Sequence, residues 1–419
     1  MENRYEKYKD SGIAWIGNIP EHWEVKKLGH LYIPRNEKVS DKDYPALSVT
    51  MQGVLLQLEN VAKTNDGDNR KLVKIGDFAI NSRSDRRGSC GISKYDGSVS
   101  LINIVLTPIN DMNPVYYEWL FHSSLFSDEY YRWGHGIVND LWTTRWQEMK
   151  NIQIAAPPLH EQQLIATYLD QKCSEIDELI TLQEEMITKL QSYKQSVITE
   201  AVTKGLDKNV PLKDSGIEWI GKIPEHWNTY QLKRCSKFIN GYAFNSNHFN
   251  KDKGIPVIRI GDILNEQISF ENIVYVQENN ELEKFIVHKN DILIAMSGAT
   301  VGKIGVYNSD DKVYINQRVG IIRTTQYNYI KRMFSTNGFI DYINLSSAGS
   351  AQPNISSDGI LNFHIPVPPL NEQQTIANYL DQKCSEIDEL ISIKQQKIEK
   401  LKDYKKSLIF ECVTGKRKV

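Results

Sequence analysis

The amino-acid sequence predicts an α+β protein in which two globular domains are joined by two long antiparallel helices. The helices are expected to form an intramolecular coiled coil in a pseudo-two-fold repeat. The stretch DQKCSEIDELI at Asp170–Ile180 recurs unchanged at Asp381–Ile391, which indicates a duplicated chain. No proline or glycine occurs from Glu161 to Val202, as a long helix requires. The segments that precede the two copies carry the alternating apolar pattern of short strands.

A second repeat extends this organisation to the whole chain of 419 residues. The head DSGIAWIGNIPEHW at Asp10–Trp23 returns at Asp214–Trp227 as DSGIEWIGKIPEHW. The order head, variable segment and helix therefore occurs twice, and the two variable segments differ in sequence and in length. We expect globular domains at 1–156 and 210–367, and helices within 157–209 and 368–419.

The variable segments predict short strands, many turns and a few helices. Apolar and β-branched runs predict strands, and the helices are expected to follow them. Glycine and asparagine between the runs predict loops at Arg83–Gly91 and Ser297–Gly305. The predicted strands are Gly76–Ser82, Val257–Ile263, Phe270–Val276 and Asp291–Met296, and the predicted helices are Pro114–Phe126 and Tyr327–Ile343.

Both repeated helices carry apolar residues at alternating steps of four and three, which is the heptad pattern of a coiled coil. About 40 residues at 1.5 Å each would make a rod of about 60 Å. Polar residues occupy equivalent seam positions at Gln183 and Lys394, and at Lys194 and Lys405; such residues set register and partner at a cost in stability. The apolar seam is predicted at Ile176, Ile180, Ile187, Leu190 and Val197, and at Ile387, Ile391, Ile398, Leu401 and Leu408.

Four further apolar residues of the first helix lie off the seam: Leu179, Leu182, Met186 and Tyr193. Two interpretations stay open. The residues form a second stripe that binds a partner protein, or they widen the core between the two helices.

Composition and charge narrow the class of protein. The N-terminus is polar and unlike a signal peptide, and no apolar run reaches the ~18–20 residues that span a bilayer. The five cysteines form no CxxC pair, which predicts a reduced, cytoplasmic protein. The net charge of −2 neither supports nor excludes nucleic acid, because local charge on one face decides that question.

Several motifs, which follow one another along the chain, point to one protein family. The heads read WIGxIPxHW at Trp15–Trp23 and Trp219–Trp227, and both helices begin PPLxEQQxIAxYLDQKCSEIDELI. With these motifs the chain resembles the specificity (S) subunit of a type I restriction-modification system. The second variable segment adds GYAF at Gly241–Phe244, IPVIR at Ile255–Arg259, SGATVGKIG at Ser297–Gly305, INQRVG at Ile315–Gly320 and GSAQPNI at Gly349–Ile355.

The resemblance implies a function and a set of partners. The chain would contain two target recognition domains, each reading one half of a bipartite, interrupted sequence in double-stranded DNA. The helices would act as spacer and as docking surface for two methyltransferase (M) subunits, and restriction/translocase (R) subunits would complete the assembly. The chain itself would be non-catalytic and bind no cofactor, with AdoMet, ATP and Mg expected on the partner subunits.

The first variable segment departs from the second, because it lacks GYAF and INQRVG. It reads LSVTMQGV at Leu47–Val54 and SRSDRRGSCG at Ser82–Gly91, which resemble another subtype of recognition domain in the same family. Different subtypes imply different half-sites, so the target is expected to be asymmetric.

Other patterns imitate catalytic motifs. Gly298–Lys303, GATVGK, is one residue short of a phosphate-binding loop, and Ile304 follows the lysine where Ser or Thr belongs, so a tight loop between strands is expected. Asn113-Pro114-Val115-Tyr116 lacks the second proline of a methyltransferase NPPY motif and predicts a helix start capped by Asn113. The histidines form no metal-binding cluster, and His22 and His226 are predicted to pack or cap.

The candidate DNA-binding residues combine charge, amides and aromatic rings. Arginine binds guanine or phosphate, serine binds phosphate, and Asn and Gln amides suit adenine. The aromatic rings would pack on sugars or bases, or lie in the core. In the first half the candidates are Ser82, Arg83, Arg86, Arg87 and Ser89; in the second half they are Tyr242, Phe244, Arg259, Ser297, Thr300, Lys303, Asn316, Gln317, Arg318 and Gln352.

The leading hypothesis is therefore a non-catalytic reader of DNA sequence that recruits methyltransferase subunits. A stand-alone methyltransferase or nuclease is a second hypothesis, disfavoured by the missing cofactor and metal motifs. A third is a duplicated scaffold that binds only protein. Salt-dependent DNA binding separates the first hypothesis from the third.

Overall fold

A computed structural model of the chain describes residues 4–57, 67–83, 86–109, 112–136, 142–264, 266–347 and 353–419. The chain forms two compact units. Unit 1 consists of Met1–Glu184 and Gln395–Val419, and unit 2 consists of Glu185–Lys394. Each unit thus contains one head, one variable segment and parts of both long helices.

Unit 1 is rich in short strands, with helices late in its variable segment. Its strands are β1 Tyr8–Asp10, β2 Asn18–Pro20, β3 Glu24–Lys27, β4 Tyr32–Pro34, β5 Lys38–Val39, β6 Leu47–Thr50, β7 Gly53–Leu56, β8 Arg70–Val73, β9 Phe78–Asn81, β10 Cys90–Ile92, β11 Gly97–Val99, β12 Asn103–Pro108 and β13 Gln153–Ala156. Its helices are α1 Pro114–His122, α2 Ser124–Arg132 and α3 Trp146–Met149, and α4 runs Leu159–Lys204.

Unit 2 repeats this composition. Its strands are β14 Leu212–Asp214, β15 Lys222–Pro224, β16 Asn228–Gln231, β17 Lys237–Asn240, β18 Ile255–Ile258, β19 Ile263–Leu264, β20 Gln267–Ile268, β21 Val274–Val276, β22 Ile292–Ala295, β23 Ile304–Val306, β24 Tyr314–Ile315, β25 Val319–Arg323 and β26 His364–Val367. Its helices are α5 Tyr327–Met333, α6 Asn337–Ser347 and α7 Ser357–Leu361, and α8 runs Leu370–Val413.

The main sheet has the same construction in both units. In unit 1 its four antiparallel strands lie in the order β10-β9-β12-β4, with Ile80 opposite both Cys90 and Ile104. In unit 2 the order is β23-β22-β25-β17, with Ile294 opposite Ile304 and Gly320. The central strands β9 and β22 are buried on both faces, which explains their apolar runs FAI and ILIA. Two segments of unlike sequence therefore build the same sheet.

The α+β class is confirmed, and the predicted elements form with differences in the variable segments. The strand predicted at Val257–Ile263 is interrupted by a 3-10 turn at Ile260–Asp262, and only Val274–Val276 of the strand predicted at Phe270–Val276 is extended. Each helix predicted as one run is two helices. Ser123 accepts a hydrogen bond from the Phe126 N–H at 3.3 Å, and Thr336 accepts one from the Phe339 N–H at 3.3 Å. These hydroxyls cap the start of α2 and cover the first turn of α6, so the chain changes direction where the apolar pattern alone predicts continuity. As predicted, Asn113 caps α1, accepting from the Tyr116 N–H at 3.0 Å.

The long helices pair antiparallel, as predicted. In unit 1 the first part of α4 packs with the last part of α8, and Lys405 binds Asp177 at 2.6 Å. In unit 2 the last part of α4 packs with the first part of α8, and Lys194 binds Asp388 at 2.7 Å. Lys194 and Lys405, which occupy equivalent seam positions, thus each meet an aspartate of the repeated DQKCSEIDELI stretch. All the seam residues predicted from the heptad pattern are buried or half-buried.

The buried cysteines of the long helices are structural. Cys173 lies in the core of unit 1 and Cys384 in the core of unit 2. Burial raises the pKa of the Cys173 thiol to about 11 and that of Cys412 to about 12. Both thiols are therefore protonated at neutral pH and are not nucleophiles.

The repeated head docks on the start of its helix through one carboxylate. The indole N–H of the fully buried Trp23 donates to Glu161 Oε2 at 3.0 Å, and Trp227 donates to Glu372 Oε2 at 2.9 Å. His22 binds the other oxygen of Glu161. The equivalent His226 does the same with Glu372, so both histidines, which are exposed, hold the helix start through this carboxylate. This contact explains why the HW dipeptide and the EQQ helix start recur together.

Candidate nucleic-acid interface

In unit 1 the candidate residues lie at one end of the main sheet. There β9 ends beside the start of β12, since Asn81 is opposite Asn103. The loop that follows β9 carries Arg83, Arg86 and Arg87, all exposed. Three guanidinium groups thus stand at the rim of a rigid sheet, an arrangement suited to the phosphates and guanine edges of a nucleic acid.

The two serines of this loop have a different place. Ser82 is buried, and its hydroxyl donates to the carbonyl of Ile102 at 2.6 Å. Ser89 is also buried, and its carbonyl accepts the Asn81 N–H at 2.9 Å. The structure therefore gives both serines a part in shaping the loop, and the exposed side chains among its described residues are those of the arginines.

Arg87 is held partly by its own unit. Its guanidinium lies 5.2 Å from the centre of the Tyr131 ring and 3.4 Å from Asp128. The ion pair contributes little, because both side chains are more than half exposed. Arg87 remains at the surface but is more restrained than a free loop arginine.

The sequence did not predict the residues that line the site opposite Arg83. Thr143 forms an isolated bridge with Arg83, and a cleft of about 370 Å³ opens between them. Lys71 and Arg145 line the same cleft, with Arg145 exposed and Lys71 donating to the carbonyl of Asn103 at 2.6 Å. Burial lowers the pKa of Lys71. These residues are far apart along the chain, so no local motif marks them and only the fold brings them together.

In unit 2 the corresponding sheet end carries a different set of side chains. Arg318 precedes β25, and its carbonyl accepts the Met296 N–H at 2.9 Å. Lys303 precedes β23, and Tyr242 follows β17. Gln317, Arg318, Lys303 and Tyr242 are all exposed, so the sheet brings together side chains from three separate segments of the chain. GATVGK is the tight loop between β22 and β23, as predicted.

The aromatic residues of GYAF divide between surface and core. Tyr242 is 40 % exposed, and its ring packs edge-on against Phe244 at 4.9 Å. Phe244 is half-buried and also packs against Tyr314 at 5.9 Å. Tyr242 is thus available for stacking, while Phe244 supports it from below.

Two polar candidates of unit 2 are engaged inside the domain. Arg259 donates to Asp262 at 3.3 Å and to the carbonyl of Asn272 at 2.6 Å, which gives it a structural role. Asn316 is half-buried, and its amide oxygen accepts the Gln317 N–H at 2.6 Å. These contacts order the loop ahead of β25 and leave Gln317 as the exposed amide.

Two hydroxyls of the β22–β23 loop have no hydrogen-bond partner in the part of the chain that the structure describes. They are Ser297 Oγ and Thr300 Oγ1, both shielded from solvent. A buried hydroxyl without a partner costs about 1–3 kcal/mol. Gln352, the remaining candidate, lies outside the described residues.

The stripe of apolar residues on α4 is at the surface. Leu179, Leu182, Met186 and Tyr193 are between 42 % and 57 % exposed. The second interpretation of these residues, a widened intrachain core, is therefore wrong. On α8 the equivalent residues Leu390, Ile393 and Tyr404 are exposed as well.

The described residues show no metal-binding cluster of His, Cys, Asp and Glu. Among those residues no helix is long and apolar enough to cross a membrane.

Comparison with known proteins identifies relatives of this chain. A specificity subunit of the type I restriction enzyme MjaVIII, from Methanocaldococcus jannaschii, is 26% identical over 422 residues, which cover 96% of this chain and 94% of the relative. The specificity subunit of the Escherichia coli enzyme EcoBI is 27% identical over 208 residues, which cover 49% of this chain and 42% of its own length.

Solved structures agree on the fold. A chain from a study of complex assembly and conformational transition of the type I R-M system superimposes with a TM-score of 0.75 at 15% identity, covering 94% of this chain and 98% of that one. The HsdS subunit from Thermoanaerobacter tengcongensis superimposes with a TM-score of 0.54 at 17% identity, covering 95% and 98%.

The family model described as type I restriction modification DNA specificity domain matches residues 20–191 and 224–403, well over half of the chain. The resemblance stated from the sequence is confirmed, including its expectation of recognition without catalysis. The chain therefore belongs to the type I restriction-modification specificity subunits, the non-catalytic DNA-recognition components of these systems.

Proposed function

We propose that the chain reads a bipartite, asymmetric sequence in double-stranded DNA, one half-site with each unit. One observation carries this proposal. The same four-stranded sheet occurs in both units, and the same end of it bears different polar side chains. A shared scaffold with exchanged reading groups suits two half-sites of different sequence.

The two sheet ends favour different contacts. The first presents three exposed arginines, which bind phosphates and the O6 and N7 atoms of guanine. The second presents Gln317, Arg318 and Lys303 beside Tyr242. A glutamine amide pairs with adenine, while the cations bind phosphate. Phosphate contacts would position the protein, and base contacts would specify the sequence.

The helices would supply the partner contacts. The exposed stripe gives unit 1 Leu179 and Leu182 on α4, and unit 2 Leu390 and Ile393 at the equivalent places on α8. Equivalent surfaces suit two copies of one partner, here two methyltransferase subunits. Restriction/translocase subunits would join that complex, and AdoMet, ATP and Mg would be bound by the partners, in the cytoplasm.

The helices would also act as a ruler between the half-sites. One turn of B-DNA is about 34 Å, the scale on which two readers meet the same face of a duplex. Deleting one heptad from α4 and the equivalent heptad from α8 should shorten the unread gap. An unchanged gap in the methylated motif would refute the ruler.

The test of the whole proposal is co-expression with the neighbouring methyltransferase gene, followed by sequencing of methylated DNA. A bipartite, non-palindromic motif is expected. Exchange of residues 1–156 for those of another specificity subunit should change one half-site and leave the other intact. A change in both half-sites, or in neither, would contradict the assignment of one half-site to each unit.

Two controls separate the other classes of function. Tight AdoMet binding by the purified chain alone would favour a stand-alone methyltransferase. Absence of salt-dependent DNA binding by the reconstituted complex at low salt would favour a protein-binding scaffold.

A further inference from the structure

The hairpin formed by β6 and β7 presents two exposed side chains beside the arginine loop of unit 1. Met51 and Gln52 form its tip, and Met51 is 72% exposed. Two hydrogen bonds order the tip. Thr50 Oγ1 donates to the carbonyl of Gly53 at 3.0 Å and accepts the Gln52 N–H at 3.1 Å. An apolar side chain so exposed on an ordered turn is suited to covering by a partner.

Strand direction places this tip at the DNA end of the sheet. Ala46, just before β6, forms a parallel bridge with Ser98 of β11, so β6 and β11 run the same way. The chain after β11 passes into the turn that contains Ile102, whose carbonyl accepts the Ser82 hydroxyl. The carboxyl ends of β6, β9 and β11 therefore lie together.

A close glycine contact sets the hairpin against the arginine loop. A Cβ on Gly91 would lie 2.7 Å from the Cα of Gly53, closer than side chains allow. Gly91 belongs to β10, the strand that follows the arginine loop. Glycine at both places lets the two backbones touch, which brings Met51 and Gln52 next to the loop that holds Arg86 and Arg87.

We propose that Met51 and Gln52 read an A·T base pair in the half-site recognised by unit 1, an inference that rests on the proposed function. A glutamine amide makes two hydrogen bonds to the N6 and N7 atoms of adenine, and an apolar side chain contacts the thymine methyl group. Neighbouring arginines hold the phosphates on either side. In the described part of the chain the Gln52 side chain has no hydrogen-bond partner, so its donor and acceptor are free for a base.

The unit 2 loop at the equivalent place supports a special role for this tip. There β18 runs parallel to β24, and Arg259 follows β18. Arg259 is tied to Asp262 and Asn272. The residue after this strand is thus bound within its own domain in unit 2, whereas the residues at the equivalent place in unit 1 are exposed. Two subtypes of recognition domain would differ in this way in the bases they read.

The test uses the full chain, co-expressed with its methyltransferase partner, to select duplexes from a library with randomised half-sites. Variants Met51→Ala and Gln52→Ala are compared with Ile75→Ala. Ile75 is 68% exposed and lies before the start of β9, at the opposite end of the sheet. All three side chains are at the surface, so equal thermal unfolding curves are expected.

Gln52→Ala should relax selection at one A·T position of one half-site about ten-fold, with the other half-site unchanged. Met51→Ala should reduce the preference for thymine at that base pair, and Ile75→Ala should keep the wild-type motif. If both tip variants keep the wild-type motif while Arg83→Ala weakens binding, the tip does not read DNA and the proposed function stands. If the wild-type chain selects no motif, the proposed function fails and this inference with it.

Discussion

The contact between each head and its helix can be tested by replacing Glu161 with glutamine. The Glu161 carboxylate accepts hydrogen bonds from Trp23 Nε1 at 3.0 Å, from the Tyr5 hydroxyl at 2.8 Å and from His22, and its side chain is only 13% exposed. Burial opposes ionisation, but these donors hold the pKa of Glu161 below its ordinary value. The substitution keeps the shape of the side chain and removes one acceptor and the charge.

The expected loss follows from the number of donors. Hydrogen bonds to a charged group contribute about 1.5–3 kcal/mol each and neutral ones about 0.5–1.5 kcal/mol. Glutamine has one acceptor oxygen, so at least one of the three donors loses its partner. We expect Glu161→Gln to lower the free energy of unfolding of unit 1 by about 2–4 kcal/mol. Glu372 accepts two such bonds and is 35% exposed, so Glu372→Gln should cost unit 2 about half as much.

The assay is urea unfolding followed by circular dichroism and tryptophan fluorescence. Two units can unfold separately, so the curve is fitted with two transitions. Glu161→Gln should move one midpoint and Glu372→Gln the other, each with an unchanged slope. The matched control is Glu178→Gln on the exposed face of the same helix. If Glu161→Gln shifts the midpoint no more than Glu178→Gln does, the head is held by packing alone and the reasoning is wrong.

Four other outcomes are expected. The pKa of Glu161 is lowered in the folded chain, so its ionised form stabilises the fold at pH values above the ordinary pKa of 4.5. This stabilisation is lost as the pH falls through the folded pKa. The free energy of unfolding should therefore drop less between pH 7 and pH 3 in Glu161→Gln than in the wild type. Arg259→Ala should lower the urea midpoint and leave the selected DNA motif unchanged; an altered motif at equal stability would restore Arg259 as a DNA contact. Paired Leu179→Ser and Leu390→Ser substitutions should reduce co-purification of the methyltransferase at unchanged stability. The thiol of Cys173 should resist modification by maleimide at pH 7 until the chain is unfolded.

The sequence predicted most of what depends on repetition and periodicity. The heptad seam, the antiparallel pairing and the Asn113 cap all follow from patterns within a few turns of one helix. The prediction of one continuous helix was wrong where a polar residue interrupts an apolar run, as at Ser123 and Thr336. There a local hydrogen bond to the backbone outweighs continuity of the helix.

The candidate site was harder to predict, since it is assembled from strand ends far apart in the chain. Residue type pointed to the exposed arginines, but it could not distinguish a serine that faces solvent from one that donates inward, as Ser82 does. Both Arg318 and Arg259 were candidates because of their charge. The structure shows that Arg318 is exposed and that Arg259 is bound to Asp262. Lys71 and Arg145 were missed because their proximity to Arg83 depends on strand order, which no local pattern encodes.

The repeated aspartate at the start of DQKCSEIDELI shows how one helix sequence serves two different domains. In unit 1 Asp170 accepts the indole N–H of Trp119 at 2.8 Å. In unit 2 the equivalent Asp381 binds Arg332 and Lys331 of α5 instead, and these cations lower its pKa against the effect of burial. A carboxylate accepts from an indole and a guanidinium alike, so the helix can stay constant while its partner changes. The duplication therefore preserves a docking surface that accepts two different domains.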